Sequence, residues 1–149
     1  MTIPYETDVY LWAKEQATLL EARQFEALDI PNLVEEITSV GASEYRTLGS
    51  HLANLVMHLL KWHYQPSRRR TGRSWRSSII NARNEIEQVL ETSPSLRREA
   101  VPLLARRYPG ARRLASAETG LPLQTFAAEC PWTVEQVLDH DFFPEPPPA

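Results

Sequence analysis

The sequence has a single cysteine, Cys130, among its 149 residues. No disulfide can form within the chain, so a disulfide-stapled secreted scaffold is excluded and a reducing compartment is expected. Long apolar runs are missing as well. The most apolar stretch, Leu52 to Leu60, is interrupted by Asn54 and His58, whereas a membrane span needs about 20 apolar residues. No membrane association is expected. The opening MTIPYETDVYLW lacks the basic-then-apolar order of a secretory signal, so a cytoplasmic location is expected. Glycine is scarce, at five residues, and strand-type alternation is absent. Neither a Gly-rich phosphate loop nor a nucleophile elbow occurs.

What the chain does have is a globular composition, 42% hydrophobic and 23% charged. Its apolar residues recur at helical spacing, and prolines divide them into pieces. In a first helix from about Asp8 to Arg23, the residues Val9, Trp12, Ala13, Ala17 and Leu20 fall on one face. A turn around Phe25 and Leu28 follows. Asp29 suits an N-cap, with Pro31 in the first turn, where a missing N–H costs nothing. From Ile30, one apolar phase runs through Leu33, Ile37, Gly41, Tyr45, Leu48, Leu52, Leu55 and Leu59. The spacing predicts a single long helix to about Tyr64, with any bend at Gly41. A second track through Ala53, Val56 and Leu60 makes this helix apolar on most sides, as a central bundle helix is.

Beyond Pro66, Ser74 reads as the cap of a helix to about Thr92, with Trp75, Ile79, Ala82, Ile86 and Val89 inward. Ser93-Pro94 opens the next helix, which Pro102 should kink or split. Pro109 opens a shorter helix that Gly120 closes. Thr133 and Gln136 fit a capping box flanked by a Trp132–Val137 hydrophobic staple, so a last helix starts at Val134. The expectation is an all-α, single-domain bundle of five to seven helices over residues 1–143, with 144–149 as a Pro-rich mobile tail.

Charge is unevenly placed. Residues 1–65 carry a net −5, residues 66–113 a net +8 with every base an arginine, and residues 114–149 a net −6. Arg68, Arg69, Arg70, Arg73 and Arg76 cluster at a helix N-terminus, where forked guanidinium groups and free N–H groups suit an anion or a partner. Three readings compete. The acids at the two ends neutralise the arginines as surface ion pairs, an acidic protein docks on them, or nucleic acid does. Self-neutralisation is favoured, because the sequence pI is only about 5.8.

No catalytic constellation emerges. His51 and His58 share a helical face but stand about 10.5 Å apart along the axis, and a structural zinc site takes four ligands. His58 reads as a core-edge histidine with its ring hydrogen-bonded. Cys130, with His140 as a base, lacks any supporting turn. Adjacent Glu35 and Glu36 point about 100° apart on a helix. Trp62 and Trp75, beside the arginine loop, belong to core stripes rather than to base stacking. No metal and no cofactor is expected.

The runs YETDVYLWAKEQATLL, LDIPNLVEEI, Gly41-Ala42-Ser43-Glu44, MHLLKWHYQP and Ser74-Trp75-Arg76, with PSL from Pro94 and CPWT from Cys130, together resemble the bacterial domain-of-unknown-function family 29 over roughly residues 5 to 144. The resemblance implies a compact all-helical bacterial protein and brings no activity with it. The charged residues within those motifs, Asp8, Glu35, Glu36, His58, Lys61 and Arg76, are the polar cluster candidates. A mutually satisfied polar network explains them as well as a site does. The leading functional expectation is a non-enzymatic module that binds a protein partner or a second copy of itself. The alternatives are a nucleic-acid-binding accessory protein using the arginines, and an enzyme with a small polar pocket near His58 and Glu36.

Overall fold

The computed structural model describes residues 2–68 and 73–147. Among them the chain is all α-helical, with helices α1 (Val9–Glu21), α2 (Ile30–Tyr64), α3 (Arg73–Thr92), α4 (Ala100–Thr119) and α5 (Val134–Leu138). Short 3-10 turns at Phe25–Ala27, Pro66–Arg68, Pro94–Glu99 and Leu123–Thr125 connect them. Helix α2 runs unbroken through Gly41 for 35 residues. Chain contacts nevertheless define two compact units, one up to Ser43 and one from Glu44 onward.

In the first unit, polar groups fix α1 to the start of α2. Asp8 caps α1 by accepting from the Leu11 N–H at 2.9 Å. Asp29 caps α2, accepting from the Asn32 backbone at 3.4 Å, the Asn32 side chain at 2.7 Å and the Trp12 indole at 3.0 Å. Gln16 accepts from the Asp29 N–H at 2.8 Å. These bonds decide which face of α1 turns inward. Trp12 and Gln16 are buried, whereas Val9, Ala13, Ala17 and Leu20, expected inward from their spacing, are exposed. The expected face was apolar, but the anchored face is the one that carries partners for Asp29. After α1, Arg23 takes a left-handed conformation at φ 57°. The Gln24 N–H reaches back to the Leu19 carbonyl at 2.9 Å, the bonding of a Schellman cap that glycine usually supplies.

The second unit holds the core. Leu48, Leu52, Leu55 and Leu59 of α2 are fully buried against Ile79 and Ile86 of α3, Leu103 and Tyr108 of α4, and Phe126 and Val137. Each buried side chain of this kind stabilises by about 1.5–3 kcal/mol. From Leu48 on, α2 is the enclosed central helix its spacing predicts. Before Tyr45 that expectation is corrected. Ile30, Val34, Ile37 and Val40 are 53, 57, 71 and 66% exposed.

Two proline expectations are also corrected. Residues 94–99 form a 3-10 stretch, and α4 then runs as one helix past both prolines. Pro102 lies in its first turn, where the N–H has no intrahelical partner to lose. Pro109 lies inside it rather than at the start of a separate helix. Gly120, at φ 75°, closes α4 with its N–H on the Ser116 carbonyl at 2.9 Å. Helix α3 begins at Arg73, so Ser74 sits within its first turn instead of capping it. The capping box of α5 forms as its sequence implies, with the Gln136 N–H donating to Thr133 Oγ1 at 3.2 Å and the Thr133 N–H to Gln136 Oε1 at 3.0 Å.

Candidate functional site

The polar cluster candidates divide between the units. In the first, Asp8 is engaged as a helix cap. Glu36 accepts the Tyr5 hydroxyl, and that bond, with burial and the neighbouring carboxylates, pushes the Tyr5 pKa up to about 12. Glu35 faces solvent. The hydrogen bonds to Asp29 from the Asn32 side chain, and then from Trp12, hold its carboxyl below the usual range against the opposing effect of burial.

In the second unit, Lys61 is buried with its ammonium 2.8 Å from Glu118 and 5.0 Å from the centre of the Trp75 ring. His58, one turn before it, differs from expectation. Its Nδ1 is buried without a hydrogen-bond partner among the described residues. Burial lowers its pKa first and the Lys61 charge second, while Glu118 pulls the other way. Burial and Lys61 together favour the neutral form of the ring. Among the described residues, no three His, Cys, Asp or Glu side chains gather as metal ligands would.

Of the arginine candidates, Arg69 and Arg70 lie outside the described residues. The backbone of Arg68 ends a 3-10 turn and that of Arg73 begins α3. Arg76 stacks its guanidinium 4.5 Å from the centre of the Phe143 ring. The favoured reading of the basic segment, neutralisation by surface ion pairs, does not hold among the described residues: the two ion pairs there are Lys61–Glu118 and His140–Glu87. Four of the described arginines, Arg76, Arg83, Arg106 and Arg112, bind carbonyls or rings instead. Arg83, 1% exposed, donates to the carbonyls of Val137 at 2.9 Å, His140 at 3.4 Å and Phe142 at 2.7 Å. Arg112 donates twice to the Phe126 carbonyl, at 3.1 and 3.0 Å. Arg106 donates to the Tyr45 hydroxyl, and Arg107 lies over the bare backbone of Gly49. Its charge set Arg83 apart from the apolar stripe of α3, although it lies three residues before Ile86 on the same face. The available signal was its place four residues after Ile79, beside the inward stripe.

A groove of about 630 Å³ opens between α4 and the segment before α5, lined by Val101, Leu104, Tyr108, Cys130, Trp132 and Val134 among others. Glu129 and Glu135 also line it and are exposed, whereas its tyrosine is committed. Tyr108 donates to the Ala127 carbonyl at 2.6 Å, and burial pushes its pKa up to about 12. Burial also raises the Cys130 thiol, against a smaller opposing effect from the Trp132 backbone. His140, the base the thiol would need, bonds Glu87 at 2.7 Å instead. The groove is thus a mainly apolar surface that also carries the Glu129 and Glu135 carboxylates.

The largest uncovered feature lies in the first unit. Nine of the twelve exposed large hydrophobic residues among the described ones fall between Val9 and Val40. Trp12 and Gln16 are the only buried residues in the described part of that unit. Sequence spacing located these apolar residues but assigned them to a core, because periodicity marks an apolar face without saying what covers it.

Residues 4–143 match the family described as Domain of unknown function DUF29. The chain belongs to the DUF29 family. The match spans every helix of both units, so the exposed face and the arginine-clamped core are both parts of one DUF29 domain. Searches of curated proteins and of solved structures found no match. No helix among the described residues is long and apolar enough to cross a membrane.

Proposed function

We infer that this DUF29 protein is a non-enzymatic interaction module that docks a protein partner through the apolar face of its first unit. One observation carries the reading: Val9, Tyr10, Leu20, Phe25, Ile30, Val34, Ile37 and Val40 all stand exposed within a stretch of 32 residues. Ordinary monomers keep contiguous apolar patches to a few hundred Å², and larger ones mark binding surfaces. The polar residues singled out from sequence act here as caps and clasps. Asp8, Glu36 and Asp29 hold the two helices whose outer sides form the face.

A photo-reactive amino acid placed at Ile37 in the full chain, expressed in its own host, tests this. A defined protein adduct is expected from Ile37 and not from Ser39, an exposed polar residue on the same helix. Equal or absent labelling at the two positions overturns the reading. A gel-shift titration covers the nucleic-acid alternative: binding that weakens steeply as salt rises would move the function to Arg68, Arg69, Arg70, Arg73 and Arg76.

A further inference from the structure

We propose that the face is completed by a second copy of the chain, with residues 30–41 of α2 from the two copies packed antiparallel across a two-fold axis. This rests on the docking reading above and names its partner.

The spacing of the exposed stripe comes first. Ile30, Val34, Ile37 and Gly41 follow steps of four, three and four, the pattern that keeps a seam facing another helix. The flanking positions are Pro31, Leu33, Thr38 and Val40. None is charged, so the eight acids and two bases of residues 1–43 bring no like charges to the edges of the seam. A charged partner would find no complementary groups there, whereas an identical neutral seam fits.

Volumes match in the same register. Antiparallel pairing about the midpoint of 30–41 sets Ile30 opposite Gly41 of the second copy and Val34 opposite Ile37. The largest mismatch in size thus falls where a large side chain can enter the space above a glycine. Gly41 has no other packing reason to be glycine. A Cβ built on it meets nothing within 4 Å, although glycine inside a helix costs about 1 kcal/mol relative to alanine.

Area points the same way. The eight exposed side chains of the face are each about half exposed or more. At about 150 Å² per bare side chain, smaller than an aromatic ring's, they present roughly 700 Å², close to the about 800 Å² that a standard interface takes from each partner. Two such helix pairs face to face make a four-helix bundle, the usual way a pair of amphipathic helices covers its second apolar side.

Sedimentation equilibrium of the full chain tests the proposal. The wild type is expected to be dimeric. Ile37→Glu, at a site already exposed, and Gly41→Leu are each expected to weaken the dimer about a hundredfold with helix content by circular dichroism unchanged. The double variant Ile30→Ala/Gly41→Leu, which exchanges the large and small positions, is expected to recover dimerisation. A wild type that stays monomeric at its highest attainable concentration overturns the second copy, as does a dimer indifferent to Ile37→Glu. Failure of the swap to restore what Gly41→Leu removes overturns the antiparallel register. The cross-link at Ile37 separates the two levels. An adduct with a different protein retains the docking reading and rejects the second copy, and no adduct rejects both.

Discussion

Asp29 concentrates more of the first unit's cohesion than any other side chain. It receives the Trp12 indole and both Asn32 donors, and its own N–H is held by Gln16. Because these bonds favour the carboxylate, its folded pKa lies below the unfolded value. The contribution is therefore fully present above the unfolded pKa, near 4, and is lost as pH falls through the lower folded value. The protection of α1 amides relative to their intrinsic exchange rate should fall over that acid range, and Asp29→Asn, which keeps a capping side chain but cannot titrate, should flatten the pH dependence. Arg83 plays the matching part in the second unit. Arg83→Met removes three donors from carbonyls of the C-terminal segment at once. Hydrogen bonds to charged groups contribute about 1.5–3 kcal/mol each and are not additive, so a total loss of about 3 kcal/mol is expected from urea denaturation. Arg83→Lys should recover only part, because an ammonium is a point charge without the guanidinium's planar fork.

At the scale of the element, α2 and α4 show what apolar spacing can and cannot reveal. The continuity of α2 was legible because one phase runs from Leu33 to Leu59 and a single glycine does not outweigh it. Its enclosure was legible only from Leu48, where a second apolar track doubles the stripe. Before that, the same spacing belongs to a bare face, and spacing alone is identical for a core and an interface. Of the inward face of α1 only Trp12 was legible, since Gln16 is buried by a bond to a backbone N–H thirteen residues away, which no local pattern encodes. Likewise the motif residues Glu35, Glu36, His58 and Lys61 stood out as charged, but their roles depend on Tyr5 and Glu118, distant in sequence. In α4 the proline rule pointed to a break, and the packing of Leu104, Tyr108 and Ala111 overrides it. Pro109 leaves the Ala105 carbonyl without its usual donor four residues on. Pro109→Ala is expected to raise stability by about 1 kcal/mol, the gain from a restored helical bond offset by a freer unfolded chain, as read by the midpoint of thermal unfolding.

For the molecule as a whole, the two compact units differ in kind. Every residue of the hydrophobic core cluster comes from Tyr45 onward, while the first unit contributes a single buried aromatic, Trp12, held by polar bonds. A fragment beginning at Glu44 should therefore unfold cooperatively on heating, and residues 1–43 alone should show little helix by circular dichroism, since short isolated helices are marginal in water. A fragment from Glu44 that melts without a sigmoidal transition would contradict this division of labour.

The carbonyls that solvate Arg83 lie at Val137, His140 and Phe142, 54 to 59 residues further along the chain. A guanidinium stripped of water without acceptors is too costly to bury. While the chain is still being made, α3 must therefore leave that side chain in solvent, and the interior around it can dry out only once the ribosome has released the chain as far as Phe142. A chain ending before Val137 would have the residues of α1 to α4 in place and a centre that stays wet.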